Sequence, residues 1–167
     1  MIKIGKNIGK FSTYSCRPTS RNELQDIIKE RIKQYGNNCD LNDIDTSLIE
    51  DMSWLFNWSK FNGDISKWDT SKVITMRSMF ADSSFDGDIS DWDVSNVDNM
   101  TWMFRNTDFN KDISKWDVSK VKDMEGMFDR SKFNQDISNW KIREDCNIAY
   151  MFNRCNINDN FKPKTPR

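Results

Sequence analysis

The stretch Asp112–Val121 reads DISKWDVSKV, and it decides the fold because near copies of it recur along the chain. DISKWDTSKV stands at 64–73, DISDWDVSNV at 88–97, and a weaker copy, DISNWKIRED, at 136–145. The copies align without a gap at a period of 24 residues. A fixed period of this length is typical of a stacked array, in which each unit buries its apolar side chains against its neighbours.

Each copy carries patterns that predict one short helix and one short strand. Val97, Met100 and Met103 follow one another at spacings of three, which is typical of one face of a helix. Ser95 stands where the N-cap of that helix belongs. Ile89, between two polar residues, has the alternation of a brief strand with isoleucine inward.

These patterns predict an α/β fold, a leucine-rich-repeat-like solenoid of about five turns, each with a short parallel strand and a short helix. The turns lie near 39–62, 63–86, 87–110, 111–134 and 135–158. Residues 1–38 form an N-terminal segment with a capping helix at about 20–35, which begins with the capping box Ser20–Glu23 and ends at Gly36. Residues 159–167 are predicted to be a basic tail.

A family resemblance follows from the repeated motif W-D-[VT]-S-x-V-x-x-M-x-x-M-F followed by F-N-x-D-I-S, as at Trp92–Val97 and Phe109–Ser114. The motif resembles the BspA-like leucine-rich-repeat family, a tandem "surface protein" repeat of bacteria, over about residues 39–158. The resemblance implies a solenoid that binds other proteins, often at a cell surface. The sequence shows no export signal, lipobox or transmembrane segment, which predicts a cytoplasmic location and no membrane partner.

Charge is segregated along the chain. Residues 39–140 hold eleven Lys/Arg and twenty Asp/Glu, whereas residues 1–38 hold eight and three. An acidic array predicts a partner protein with a basic surface and argues against direct nucleic-acid binding. The pattern leaves the oligomeric state open.

Catalytic chemistry finds little support in the composition. The chain has no histidine, which general acid–base catalysis at neutral pH usually employs, and no glycine-rich phosphate loop follows a strand. The four cysteines form no C-x-x-C pair, and Cys155 occupies a register that other copies fill with serine or threonine. We therefore expect no enzyme, no cofactor and no bound metal.

The repeated aspartates Asp64, Asp88 and Asp112 raise a question of charge, because stacked carboxylates repel one another. One interpretation is that they accept hydrogen bonds from backbone amides of their own turn or the next and so tie the turns together. A second is an acidic strip that attracts a basic partner. A third, a calcium ladder, lacks the glycine-punctuated loops of known calcium repeats.

Positions at which the copies disagree are the better candidates for partner contact. Trp54, Trp58 and Trp102 stand where other copies place Ser78, Gly126 or Arg130, which predicts exposure. Trp54 and Trp58, four apart on the predicted first helix, could form one aromatic patch or pack against the N-terminal helix. Along the predicted sheet, the variable residues are Lys67, Asp91, Lys115 and Asn139.

The predicted function is a non-catalytic protein-interaction module. One specific form of it is an inhibitor or effector of phage or mobile-element type, for example one acting against a host defence nuclease. The alternative is a structural or adhesive surface repeat protein that assembles by end-to-end stacking.

Overall fold

The computed structural model describes residues 14–164; residues 1–13 and the last three residues of the predicted basic tail lie outside the described part. Helix α1 spans Arg21–Tyr35, and a three-residue 3-10 helix spans Asp159–Phe161. Ser20 is the N-cap of α1, where its hydroxyl accepts from the amide of Glu23, and the Glu23 carboxylate in turn accepts from the amide of Thr19. The predicted capping box is therefore present, although the carboxylate reaches one residue further back than the usual motif.

α1 packs on the first repeat unit through its apolar side. Leu24 and Ile28 are fully buried in the common core. Two arginines join the helix to the array: Arg21 donates to the carbonyl of Ser53, and Arg31 pairs with Asp43 at 2.8 Å. The helix thus covers apolar surface at the N-terminal end of the stack.

The repeat unit is a coil of consecutive turns, and we use the word coil for each 24-residue unit. In the third coil, the carboxylate of Asp88 accepts from the amide of Ser90, and the amide of Trp92 then donates to the carbonyl of Ile89. The same arrangement follows at once, because Asp93 accepts from the amide of Ser95. Side chains of this type bond locally to nearby amides and favour turns over helices or strands.

A second type of turn carries the methionines. The amide of Met103 donates to the carbonyl of Met100 at 3.2 Å, and Trp102, the third residue of that turn, has φ 56°. Positive φ at the third residue, and not at the second, is the pattern of a type II turn. The same φ sign recurs four residues later at Asn106, with φ 52°. Within the first of these turns, alternate amides donate to carbonyls of the next coil, Met100 to Asp123 at 2.8 Å and Trp102 to Glu125 at 2.9 Å.

The predicted α/β leucine-rich-repeat-like solenoid is wrong, because within residues 14–164 the repeats contain neither the helix nor the strand of that prediction. The helix fails because the amides of Met100 and Trp102 are committed to the next coil and cannot close intrahelical bonds. Successive tight turns reproduce the spacing of Val97, Met100 and Met103 and bury all three. Ser95 therefore caps no helix.

The predicted strand at Ile89 is a turn. Parallel pairing is confined to isolated bridges, mainly one residue per coil at a different register: Asp51, Thr75, Asn99, Asp123 and Asn147. No continuous sheet is formed by the described residues.

Stacked rings fill the core along the whole array. Phenylalanines of one register, from Phe56 to Phe152, repeat with ring centroids 5.6–5.7 Å apart. Each repeated tryptophan is about 4% exposed, and the indole of Trp92 donates to the carbonyl of Ile65 in the preceding coil at 3.2 Å. The same bond recurs at Trp68, Trp116 and Trp140. The indoles therefore join the coils by hydrogen bonding as well as by packing.

None of the helices in residues 14–164 combines the length and the apolarity that crossing a bilayer demands.

Candidate functional site

Apart from Gly36 at the end of α1, the positive-φ positions of the described residues form two rows along the stack, and we call these rows the turn face. The first row consists of Trp54, Ser78, Trp102, Gly126 and Tyr150; the second consists of Trp58, Asp82, Asn106, Arg130 and Arg154. A residue with a Cβ atom pays about 1–2 kcal/mol for this conformation, which glycine adopts freely. Nine of the ten positions nevertheless hold a residue other than glycine.

The turn face collects bulky exposed rings. Trp54 is 40% exposed, Trp58 75% and Tyr150 71%, whereas Trp102 is half-buried. Gly126 shows that the same position accepts glycine, so the backbone does not require a ring there. These rings therefore expose large apolar areas at backbone positions that glycine would occupy without strain.

The structure brings Trp54 and Trp102 together around a cation. The guanidinium carbon of Arg77 lies 6.0 Å from the ring centroid of Trp54 and 4.9 Å from that of Trp102. Both distances are within the range of cation–π attraction. Trp54 and Trp58 were predicted to form one aromatic patch or to pack against the N-terminal helix; among the described residues, Trp58 makes neither a ring contact nor a cation–π contact.

Arg77, Glu125 and Tyr150 belong to this surface, although the sequence analysis did not select them as site residues. Arg77 and Glu125 share one register, two coils apart, and each precedes a position of the first row. Aligning the copies at that register would have shown an arginine in one coil and a carboxylate in another. The contact of Arg77 with two indoles could not be inferred, because it depends on the turn geometry.

The candidate aspartates Asp64, Asp88 and Asp112 lie exposed in one row, and each accepts from the amide of the serine two residues on, at 2.9–3.0 Å. This bond holds the pKa of each carboxyl below its ordinary value. These bonds lie within one coil, and the carboxylate of Asp64 also interacts with a side chain of the preceding coil, that of Asn42.

Another register ties the coils together. The side chain of Asn62 accepts from the amide of Asp86, and the side chain of Asp86 from the amide of Asn110. The ladder continues through Asn134 to Asn158, with distances of 2.8–3.0 Å throughout. The continuous ladder between the coils thus lies in this register, and not in the aspartate row as predicted.

The variable residues Lys67, Asp91, Lys115 and Asn139 lie exposed beside the aspartate row. Lys115 and Asp91 approach to 3.8 Å, both more than 70% exposed, and such a pair contributes little stability. Asn139 donates to the carbonyl of Ser114 at 2.9 Å. This face therefore mixes both charges and is not a purely acidic strip.

The described part of the chain contains no cluster of metal ligands, and the pKa shifts of its cysteines do not favour a reactive thiol. No cluster of three or more cysteine or carboxylate side chains there could hold a metal ion. The four cysteines are free thiols. Burial raises the pKa of Cys146 to about 11 and also raises that of Cys39, and both shifts disfavour the nucleophilic thiolate.

A family model described as "Mycoplasma protein of unknown function, DUF285" matches residues 24–108 and 83–163. The chain belongs to this family. The two matches overlap and together extend from α1 to the last coil of the DUF285 chain. Neither the curated proteins nor the solved structures contain a match to it.

Membership in DUF285 corrects two predictions. The resemblance to the BspA-like leucine-rich-repeat family was wrong, since the matching family is another one and the coils are not leucine-rich-repeat units. The interpretation as a phage-type inhibitor is also wrong, because the family is described as one of unknown function and no observation indicates a phage protein or an inhibitor.

Proposed function

We propose that this DUF285 chain is a non-catalytic protein-binding module whose contact surface is the turn face. The observation that carries the proposal is the placement of Trp54, Trp58 and Tyr150 at exposed positive-φ positions. Exposed aromatic residues are common anchors of protein interfaces, where each buries a large apolar area on binding. Burial against a partner would add the free energy of the ring area that stays exposed in the isolated chain.

The proposed partner presents a basic surface. Residues 39–140 carry twenty Asp/Glu against eleven Lys/Arg. Hydrogen bonds from serine amides lower the pKa of Asp64, Asp88 and Asp112, so these carboxylates are charged at neutral pH. We expect affinity to fall as salt rises from low to physiological concentration, since exposed charges attract less when screened. The cytoplasmic location predicted from the sequence stays a prediction.

The alternative function, end-to-end assembly of a structural or adhesive protein, requires open ends. α1 packs at the N-terminal end, and at the other end Pro163 is buried and the carbonyl of Phe161 accepts from the amide of Ile137. These contacts favour the binding module.

The test begins with affinity capture of a partner from a lysate of the source organism. The affinity of the purified partner is then measured for the wild type, for the double variant Trp54→Ala/Trp58→Ala and for Tyr35→Ala. Tyr35 is the matched control, because it is an aromatic residue 58% exposed on α1, outside the turn face.

We expect the double variant to lose at least about tenfold in affinity, as interface aromatic anchors do on truncation, and Tyr35→Ala to bind like the wild type. Equal affinity of the wild type and of a folded double variant would refute the proposal.

A further inference from the structure

The repeat provides an internal example of how the turn face holds a cation. Trp54 and Trp102 stand in the same row two coils apart, and Arg77 comes from the coil between them. Rings repeat every 5.6–5.7 Å along the stack, so two coils correspond to about 11 Å. That interval fits one flat cation within about 6 Å of each ring, the range of cation–π attraction. Arg77 occupies it, 6.0 Å from Trp54 and 4.9 Å from Trp102.

The next interval of the first row is again bounded by two aromatic residues, but a different residue lies between them. Trp102 and Tyr150 are again two coils apart, with Gly126 in the coil between them. Glu125 stands at the register that Arg77 holds in the preceding interval. The indole of Trp102 lies over Gly126, where an added Cβ atom would be 2.5 Å from its Cδ1 atom. The result is a cleft of about 370 Å³ between the two rings, with Glu125 in its lining.

The charge of this cleft favours a cation. Arg105, which also lines it, is already paired with Asp82 at 3.2 Å and with Asp129 at 3.4 Å. Glu125 accepts from the neutral amide of Asn147 at 3.3 Å, and no lysine or arginine of residues 14–164 lies within ion-pair distance of it. The carboxylate that remains without a counter-charge is therefore that of Glu125.

We propose that the cleft binds the guanidinium of an arginine side chain of the partner, stacked between Trp102 and Tyr150 and paired with Glu125. The inference rests on the proposed function and names the partner group that this part of the turn face recognises. Arginine fits better than lysine, because its planar group stacks on aromatic faces and presents a fork of donors to one carboxylate.

The probe is the capped tripeptide Gly-Arg-Gly, and the comparison is the same peptide with citrulline, which has nearly the same shape without the charge. Full-length protein labelled with ¹⁵N gives one indole N–H signal for each tryptophan, and Trp102→Phe assigns the signal of Trp102. We expect the arginine peptide to shift that signal saturably and to leave the buried indoles, such as Trp92, unmoved. The citrulline peptide should have little effect.

Two variants test the role of the carboxylate. Glu125→Gln should weaken peptide binding by about fivefold, the upper range for an exposed ion pair. Glu125→Arg should abolish binding, since the new side chain would stand at the register of Arg77 and its guanidinium would itself occupy the space between Trp102 and Tyr150. The matched control is Glu144→Gln, which removes an exposed carboxylate elsewhere in the array and should leave binding unchanged. Thermal melting verifies that each variant is folded.

The inference is overturned if the citrulline peptide binds as well as the arginine peptide, or if both Glu125 variants bind like the wild type. Partner capture that depends on Trp54 and Trp58 without any response to the peptide would refute the arginine site and leave the binding module standing. A specific peptide response without a partner that depends on the turn face would refute the module instead.

Discussion

Replacing Trp58 by glycine and by alanine measures the strain of the turn face directly. Trp58 has φ 57° and is 75% exposed. Both replacements remove the same indole, so the burial that the ring loses is equal in the two variants. They differ in the backbone, because alanine retains the left-handed penalty of about 1–2 kcal/mol and glycine does not.

Glycine also loses more conformational entropy on folding, worth about 0.4–1 kcal/mol. Trp58→Gly should therefore be more stable than Trp58→Ala by about 0.5–1 kcal/mol, a difference of about 1–4 °C in melting temperature for a chain of this size. Against the wild type, the lost quarter of indole burial costs about 1–1.5 kcal/mol, so Trp58→Gly should be less stable than the wild type by about 0.5 kcal/mol.

The assay is thermal and urea unfolding of the two variants, with Asp91 as the control position. Asp91 is exposed and does not have positive φ, so alanine should be more stable than glycine there. The same order of stability at both positions would show that positive φ at Trp58 carries no cost, and the argument that its indole serves binding rather than folding would lose its basis.

Three further predictions concern the scaffold. Gly63→Ala should destabilise the chain by about 2–4 kcal/mol in urea unfolding, since its Cβ atom would lie 2.0 Å from the carbonyl oxygen of Cys39. Gly87→Ala should cost less, since its Cβ atom would lie 2.7 Å from the ring of Phe85 but at an ordinary 3.4 Å from the nearest carbonyl oxygen, that of Gly63; equal losses would contradict this. Asp88 has a lowered pKa in the folded chain, so its contribution to folding stability is present above the unfolded pKa of about 4 and is lost as pH falls through the folded pKa. Asp88→Asn keeps the acceptor oxygen but does not titrate, so its urea midpoint should fall less steeply than that of the wild type between about pH 4 and 2. An unchanged slope would refute the linkage. At pH 8, iodoacetamide should modify Cys146, with its pKa of about 11, about a hundredfold more slowly than in 6 M urea, as followed by peptide mass spectrometry; equal rates would exclude the raised pKa.

The sequence was sufficient to find the period, because Trp92, Met103 and Phe104 recur without a gap and side chains of these types belong in a core. It was insufficient for the backbone. A spacing of three residues is shared by a helix and by a succession of tight turns, and only the direction of amides such as that of Met100 distinguishes them. That direction depends on the neighbouring coil, 23 residues away, and leaves no local pattern.

The candidate surface was also predicted only in part, because its side-chain contacts depend on a backbone geometry that leaves no local pattern in the sequence. Divergence among the copies drew attention to Trp54 and Trp102 and predicted that both are exposed; Trp54 is 40% exposed, whereas Trp102 is half-buried and Ser78, at the same register, is fully buried. The joint contact of the two indoles with Arg77 depends on the left-handed backbone at both tryptophans. Bulky residues rarely adopt that conformation, so sequence preference argues against it.

The constant separation between bonded residues limits how the array can change in length. Removal of residues 87–110 would leave every remaining coil with a neighbour of the same kind, whereas a deletion that is not a whole number of coils would break the ladder of amides and carbonyls. Removal of residues 87–110 would also place Gly126 where Trp102 now lies beside Arg77, and would so give a new surface on the same scaffold. Exchange between the near-identical copies could therefore change the turn face in single steps of one coil while each remaining coil keeps its hydrogen bonds to a neighbour.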